Sequence, residues 1–183
     1  MANAILSQRG GGGGYATVKF KNYGAEEMPR LATTTSLTEA KIQMDATSVG
    51  DHALFGGGYV WDGSITNSNV SFSTVDIFSI DLVRKTPSSL SNARNLVGAT
   101  TIGDYALFAG GQRYDYSAST TVFLSTVDTF NSNLVKGSAT SLSLGRYIAG
   151  GAATVGDYAL FAGGNISISS PKAFLIAGVA SIF

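Results

Sequence analysis

The sequence offers few side chains that could carry acid–base or metal chemistry. It contains one histidine, His52, and no cysteine, so a zinc or copper site, which needs several imidazole or thiolate ligands, is hard to build. Asp51, Asp104 and Asp157 each follow a glycine in the same local motif, where His52 stands in the place of a tyrosine. Because these residues recur with the motif, we interpret them as turn residues, and we predict no catalytic residue, metal or cofactor.

The segments that differ between copies of this motif carry more informative residues. They read YVWDGSITNSN at 59–69, QRYDYSASTT at 112–121 and NISISSP at 165–171. Variable loops on a rigid scaffold are common binding sites, and aromatic rings beside polar groups suit sugar stacking or a protein interface. The alternative is that these rings pack against neighbouring structure. The candidate binding residues are Tyr59, Trp61, Asp62, Arg113, Tyr114, Asp115, Tyr116 and Asn165.

Composition and charge argue against several other classes. The 12 basic and 12 acidic residues give a formal net charge of zero, whereas a nucleic-acid-binding face needs clustered Lys and Arg. The glycines at 10–14 lack the Lys-Ser/Thr and the helix that follow a phosphate loop, so we predict a Gly-rich flexible leader over 1–14. We see no signal peptide. The longest apolar run, 173–183, is shorter than the about 20 residues of a membrane span, and we predict a strand there.

An internal repeat supplies the elements that hold these loops. ATSVGDHALFGGG at 46–58 recurs at 99–111 and 152–164, so that the Gly-Asp pairs lie 53 residues apart. STVDIF at 73–78 recurs as STVDTF at 125–130. A basic residue precedes each Gly-Asp pair; these residues are Lys41, Arg94 and Arg146.

The repeat predicts a small antiparallel sheet of three or four strands. Two short apolar runs joined by Gly-Asp indicate a tight hairpin. The near-continuous apolar runs HALF and YALF are typical of strands that are covered on both faces, whereas STVDIF alternates as a half-exposed strand does. We interpret the repeated basic residues as structural, and the repeated Asp76 and Asp128 as polar contacts at the edge of a sheet.

GDYALFAGG, then STVDTF, then the basic residue of SLSLGR together resemble the kelch repeat. In that family each unit is one four-stranded blade of a β-propeller. The resemblance covers about residues 15–183, although the tryptophan usual late in the repeat is missing. It implies an all-β fold of kelch-type β-propeller blades. The implied division is a half blade at 15–40, full blades at 41–93 and 94–145, and a half blade at 146–183.

The two terminal half blades complement each other, and this indicates that copies of the chain associate. Together with the full blades they make three blade equivalents, fewer than the about four to eight of a closed propeller. We therefore predict self-association through the terminal half blades, most simply as a six-bladed dimer. The alternative is that the chain docks onto β structure in a larger assembly.

The resemblance extends to kelch-like proteins encoded by bacteriophages and prophages. It implies a non-enzymatic structural or binding module, most simply a virion protein of the tail, fibre or decoration that acts in assembly or host attachment. The alternative is a carbohydrate-binding or protein-interaction propeller of bacterial origin, in the cytoplasm or at the cell surface. An enzyme on a propeller scaffold is less favoured, because the sequence shows no convergent acid–base groups.

Overall fold

The computed structural model describes residues 7–9, 15–17, 36–61, 69–86, 88–148, 151–166 and 176–180. Every helix or strand in this part of the chain is a β-strand, which confirms the predicted all-β class. The chain forms two compact units, Met1–Thr34 and Thr35–Phe183.

In the first unit, β1 (Ser7–Arg9) pairs antiparallel with β2 (Tyr15–Thr17). The glycines at 10–14, and most of the leader predicted over 1–14, lie outside the described residues. Most of the predicted half blade at 15–40 lies outside the described residues.

The described residues of the second unit form three larger antiparallel sheets, which we call A, B and C, and two separate two-stranded hairpins. Sheet A and its attached hairpin consist of β3 (Asp45–Val49), β4 (His52–Gly56), β5 (Tyr59–Trp61), β6 (Asn69–Ser71), β7 (Thr74–Ser79) and β8 (Ser88–Ser89). The four strands of the sheet follow the order β3-β4-β7-β8, and β5 pairs with β6 as a separate hairpin. We call β5–β6 hairpin A.

Sheet B repeats this plan. Sheet B and its attached hairpin consist of β9 (Gly98–Ile102), β10 (Tyr105–Ala109), β11 (Gln112–Asp115), β12 (Thr120–Phe123), β13 (Val127–Asn131) and β14 (Lys136–Ser138). The strand order is β9-β10-β13-β14, and β11 pairs with β12 as hairpin B. In the first two segments that the sequence presented as loops after Gly-Gly, the described residues include the paired strands of hairpins A and B.

Sheet C has three strands, β15 (Ala152–Val155), β16 (Tyr158–Ala162) and β17 (Ile176–Ala180). β17 pairs antiparallel with β16, with a change of register between Leu160 and Ala162. The apolar run at 173–183 therefore contains the predicted strand.

The Gly-Asp pairs are the two-residue turns between the first two strands of each sheet. Gly50, Gly103 and Gly156 have φ of +53°, +50° and +53°. A glycine with positive φ at the first central position is the signature of a type II′ hairpin turn. The aspartates that follow are exposed at these turns, as expected for turn residues.

Alternation along the strands gives each sheet two different faces. We name them the phenylalanine face and the leucine face. In sheet B the phenylalanine face carries Ala106, Phe108 and Phe130, and the leucine face carries Ile102, Leu107, Ala109 and Val127. Residues at the same positions of the repeat define the same two faces in sheets A and C.

The sheets stack by placing a leucine face on a phenylalanine face. The leucine face of sheet A, with Val49, Leu54, Val75 and Ile77, shares one apolar core with the phenylalanine face of sheet B. The leucine face of sheet B shares a second core with Ala159 and Phe161 of sheet C. Sheet B is therefore covered on both faces, which confirms the interpretation of its apolar run YALF.

The first strands of the three sheets lie side by side and are linked by threonine hydroxyls. Thr47 and Thr101 share a hydrogen bond of 2.6 Å between their Oγ1 atoms. Thr100 and Thr154 share another of 2.9 Å. Thr47 is equivalent to Thr100 in the repeat, and Thr101 is equivalent to Thr154. Equivalent hydrogen bonds thus join sheet A to sheet B and sheet B to sheet C.

In sheets A and B, the Gly-Gly pair that follows the second strand contacts the backbone of the next repeat. The N–H of Gly58 donates to the carbonyl of Arg94 (2.9 Å), and the N–H of Gly111 donates to that of Arg146 (2.7 Å). A Cβ atom on Gly57 or Gly110 would lie 2.6 Å from the same carbonyl oxygens. These positions therefore require glycine.

Lys41 and Arg94 form buried ion pairs with the repeated aspartates. The Arg94 guanidinium lies 2.8 Å from the Asp128 carboxylate and also donates to the carbonyl of Phe108 (3.1 Å). The Lys41 ammonium lies 3.0 Å from the Asp76 carboxylate. All four side chains are fully buried. The prediction that Asp76 and Asp128 make contacts at a sheet edge is therefore wrong, because both carboxylates lie inside, beside the basic residue that begins their repeat.

Asp76 is held in its charged form. Burial opposes ionisation, but hydrogen bonds from the Thr38 hydroxyl and backbone N–H and the charge of Lys41 outweigh it, so the pKa of Asp76 lies below its ordinary value. A lowered pKa in the folded state contributes stability above the ordinary pKa, and that contribution is lost as the pH falls through the lowered pKa.

We expect the free energy of unfolding to fall more steeply below about pH 4 in the wild type than in Asp76→Asn, which has no carboxylate to titrate. Denaturant titration at a series of pH values measures both slopes. Parallel pH dependence in the two proteins would show that Asp76 is not the titrating group.

Candidate functional site

A cleft of about 210 Å³ lies between hairpin A and hairpin B. We call it the hairpin cleft. Its lining consists of Gln43, Tyr59, Ser71, Asn95, Leu96, Gln112, Tyr114 and Thr121. The cleft therefore combines two aromatic rings with amides and hydroxyls from two neighbouring repeats.

The backbone fixes the strands that line the cleft. Asn95 and Gln112 exchange two backbone hydrogen bonds of 2.9 Å each, and Ile42 and Tyr59 make the same pair of bonds in the preceding repeat. The start of each hairpin is thus tied to the residue that follows the repeated basic residue. Because that basic residue is anchored in a buried ion pair, the cleft is built on rigid structure.

The lining of the cleft includes an amide pair in a constrained backbone. Asn95 is 7% exposed, and its Nδ2 donates to Oε1 of Gln43 over 2.7 Å. Gln43 and Leu96 have φ of +56° and +52°, which is the left-handed region. For residues with a side chain this conformation costs about 1–2 kcal/mol each, and it is held by the bond from Leu96 N–H to the carbonyl of Gln43 (2.9 Å). The two residues lie 53 positions apart, at the same position of the repeat, so this conformation belongs to the repeat.

Two tyrosines line the cleft. Tyr59 on β5 is half-buried, and Tyr114 on β11 is 38% exposed. Tyr116 follows β11 and packs edge to face on Tyr114, with ring centroids 4.9 Å apart. Aromatic rings that keep one side exposed and are held by neighbours offer contact area at low entropic cost.

Alternation along β11 separates the charged candidates from the cleft. Gln112 and Tyr114 line it, whereas Arg113 and Asp115 do not. The Arg113 and Asp115 charges lie 3.8 Å apart on the exposed hairpin. Asp115 also accepts hydrogen bonds from the hydroxyl and N–H of Ser117, and the hydroxyl bond is the main reason that the pKa of Asp115 is lowered. These contacts mark Asp115 as a turn residue.

The structure brings together only part of the predicted binding set. Tyr59 and Tyr114 meet in the hairpin cleft, with Tyr116 behind Tyr114. Trp61 lies on β5 opposite Asn69, but its side chain and the whole of Asp62 are outside the described residues. Asn165 does not line the cleft: its carbonyl accepts the N–H of Tyr147, and its side chain accepts the N–H of Ile166.

Six lining residues were not predicted from the sequence. They are Gln43, Ser71, Asn95, Leu96, Gln112 and Thr121. A signal for some of them was present, because Gln43, Asn95 and Gln112 are polar residues placed shortly after the repeated basic residue or after Gly-Gly. Within one repeat these positions look unrelated, and only the stacking of two sheets brings them to one cleft.

The lining chemistry suits binding. Among the described residues, no carboxylate, ammonium, guanidinium or imidazole lines the cleft, so it offers hydrogen bonds and ring faces. In the described part of the chain, no three His, Asp or Glu side chains gather where they could hold a metal ion. The same residues include no helix that could cross a membrane.

Comparison with known proteins adds a likeness of fold. No protein-family model matches the sequence, and no curated protein matches it. Among solved structures the chain is similar to that of YjhT, with a TM-score of 0.61 and 15% sequence identity. The match covers 79% of this chain and 44% of that chain, so this chain spans less than half the length of YjhT. At this identity the likeness concerns the fold alone.

Proposed function

We propose that the chain is a non-catalytic assembly and binding module, in which kelch-type β-propeller blades of separate copies associate head to tail. In this proposal sheets A, B and C are blades. The observation that carries it is the repeated interface: twice within the chain, a leucine face packs on a phenylalanine face. Because equivalent sheets pack in the same way twice within the chain, the last sheet of one copy can pack in this way on the first sheet of another.

One half of this interface is exposed on sheet C. Val155 is 59% exposed, although its counterparts Val49 and Ile102 are buried in the two internal interfaces. Leu160 is half-buried, whereas Leu54 and Leu107 at the same position are fully buried. The leucine face of sheet C therefore presents apolar area that its counterparts bury.

The other half belongs to sheet A. Phe55 and Phe78 pack edge to face with centroids 5.8 Å apart, just as Phe108 and Phe130 do at 6.1 Å in sheet B. The pair in sheet B is fully buried against the preceding sheet, whereas Phe55 and Phe78 are half-buried. The phenylalanine face of sheet A is thus the natural counterpart of the leucine face of sheet C.

The glycine contacts support the same partner. Gly57 and Gly110 each lie against the carbonyl of the next repeat's basic residue. Gly163 has φ of +74°, and no described atom lies within 4 Å of the place where its Cβ atom would be. A second copy would bring its Lys41 to this place. Two chains of three blades each would give six blades, and a two-fold ring closes so that growth stops.

We expect the wild-type chain to sediment as a dimer and Val155→Asp to sediment as a monomer, because a carboxylate would be buried without a partner in the new interface. Val135→Asp is the matched control. Val135 is 61% exposed, close to the 59% of Val155, but it lies in the turn between β13 and β14, away from both faces. Sedimentation velocity over a range of concentrations measures all three proteins.

A wild-type chain that stays monomeric at every concentration would refute the assembly proposal. Equal dissociation of the Val155 and Val135 variants would refute the assignment of the interface. The placement of such an assembly in a bacteriophage virion, and a part in host attachment, rest on the sequence resemblance and stay predictions. Binding of a small ligand is the second candidate function, and the hairpin cleft is the observation that favours it.

A further inference from the structure

We infer that the hairpin cleft binds one uncharged sugar ring, held by the amides and hydroxyls of its lining and by the rings of Tyr59 and Tyr114. The site lies between two hairpins of a single chain. It therefore goes beyond the proposed assembly and does not require it.

The charge of the lining selects the ligand class. Eight described residues line the cleft, and none of them carries a charge at neutral pH. A charged ligand would lose hydration on entering without gaining a counter-ion, which is costly. The charged residues closest in sequence to Tyr114, Arg113 and Asp115, already face each other at 3.8 Å. The uncharged groups of the lining can replace the hydrogen bonds to water that a neutral ligand loses on entering the cleft.

The hydrogen-bonding groups suit a ligand with many hydroxyls. Each amide side chain offers both donors and an acceptor, and each hydroxyl offers one donor and two acceptor lone pairs. Gln43, Asn95 and Gln112 supply amides, while Ser71 and Thr121 supply hydroxyls. A sugar ring presents hydroxyls that donate and accept around its edge. The amide of Asn95 is already oriented by its 2.7 Å hydrogen bond to Gln43, so these two side chains are ordered before binding.

The aromatic groups and the size of the cleft favour a single ring. Tyr59 and Tyr114 offer apolar ring faces with a polar hydroxyl, which match the apolar C–H face and polar edge of a sugar. The cleft volume of about 210 Å³ lies below the about 300–1,000 Å³ of sites for drug-sized ligands. A longer saccharide would therefore place one ring in the cleft and leave the others outside.

The test is saturation-transfer NMR of the full chain with free sugars. The neutral set is glucose, galactose, mannose and N-acetylglucosamine, and the charged set is glucuronic acid, N-acetylneuraminic acid and glucosamine. We expect at least one neutral sugar to bind with a Kd in about the millimolar range and the charged sugars to bind more weakly.

Variants locate the binding. Tyr114→Ala is expected to weaken it about tenfold, and Gln112→Ala about three- to tenfold. Tyr105→Ala is the matched control, because this tyrosine is similarly exposed (36% against 38%) but begins β10 at the other end of the sheet. It should leave the affinity unchanged, and thermal melting should show that all variants are folded.

The outcomes separate this inference from the assembly proposal. The monomeric Val155→Asp protein should bind the sugar as the wild type does. Absence of binding by every neutral sugar, equally tight binding of a charged one, or full affinity in Tyr114→Ala would overturn the sugar site, whatever the oligomeric state. Binding that is lost in Tyr114→Ala and retained in Tyr105→Ala supports it.

Discussion

Replacing Arg94 with methionine is expected to destabilise the protein by about 3 kcal/mol, because it removes the nearer of two cations beside the buried carboxylate of Asp128. The other cation, the partly exposed Lys136 ammonium, lies 3.5 Å from that carboxylate. The Arg94 guanidinium lies 2.8 Å from that carboxylate, and both side chains are fully buried. Burial lowers the pKa of Arg94, and the charge of Asp128 opposes this effect. The pair therefore depends on both members, and neither can be removed alone without a large cost.

The controls separate the buried pair from a general effect of losing an arginine. Arg113→Met removes the same group from an exposed pair with a 3.8 Å separation, and the expected loss there is below about 1 kcal/mol. The double variant Arg94→Met/Asp128→Leu should recover much of the lost stability, because no unpaired charge stays buried. Chemical denaturation measures all three. A loss below about 1 kcal/mol in Arg94→Met would contradict the assigned role of the pair.

Replacing Gly110 with alanine is the second change with a large expected effect, about 2–4 kcal/mol of destabilisation. Left-handed backbone costs a residue with a side chain about 1–2 kcal/mol, and Gly110 has φ of +64°. A Cβ atom there would also lie 2.6 Å from the carbonyl oxygen of Arg146 and 3.0 Å from Cδ1 of Ile148. Overpacking of this kind adds about 1–3 kcal/mol, and it would push apart the contact between sheets B and C.

Gly103→Ala is the control that isolates the steric part. Gly103 has a similar φ of +50°, but no described atom lies within 4 Å of the added methyl group. We expect a loss of about 1 kcal/mol for this variant. Equal losses of stability for Gly103→Ala and Gly110→Ala in thermal or chemical unfolding would mean that the close contact between Gly110 and Arg146 does not contribute to the destabilisation.

The sequence predicts the sheets well because their signals are local and repeated. Gly50-Asp51 between two apolar runs indicates a two-residue hairpin, and the structure has it with the expected positive φ. The apolar run of β10 indicates a strand covered on both faces, and Ala106–Ala109 are buried between sheets A and C. In each case a few neighbouring residues carry the whole signal.

Features that depend on distant residues were not predictable in the same way. The burial of Asp128 depends on Arg94, 34 positions earlier, and a polar residue in an alternating strand otherwise indicates an exposed face. Hairpins A and B occupy segments that do not resemble each other, so the repeat contained no hint that Tyr59–Trp61 and Gln112–Asp115 are strands.

The hairpin cleft shows the same limit at the candidate site. Its aromatic members, Tyr59 and Tyr114, stood out in the sequence because rings beside polar groups are typical of binding loops. Gln43 and Asn95 did not, because their 2.7 Å contact joins consecutive repeats and exists only after sheets A and B have stacked. The sequence thus indicates the aromatic residues that line the cleft but not the polar groups that meet there.

The central claim is that separate copies associate by repeating the internal interface, and a cross-link between two singly substituted chains tests it most directly. The chain has no cysteine, so engineered ones are unique. A Cβ atom on Gly56 would lie 2.7 Å from the ring of Phe108; by repeat position, Ala162 of one copy should meet Phe55 of another. We predict that a mixture of Phe55→Cys and Ala162→Cys chains gives a 1:1 product with a short bis-maleimide, whereas neither variant alone does. Equal cross-linking in the single variants, or none in the mixture, would contradict the claim.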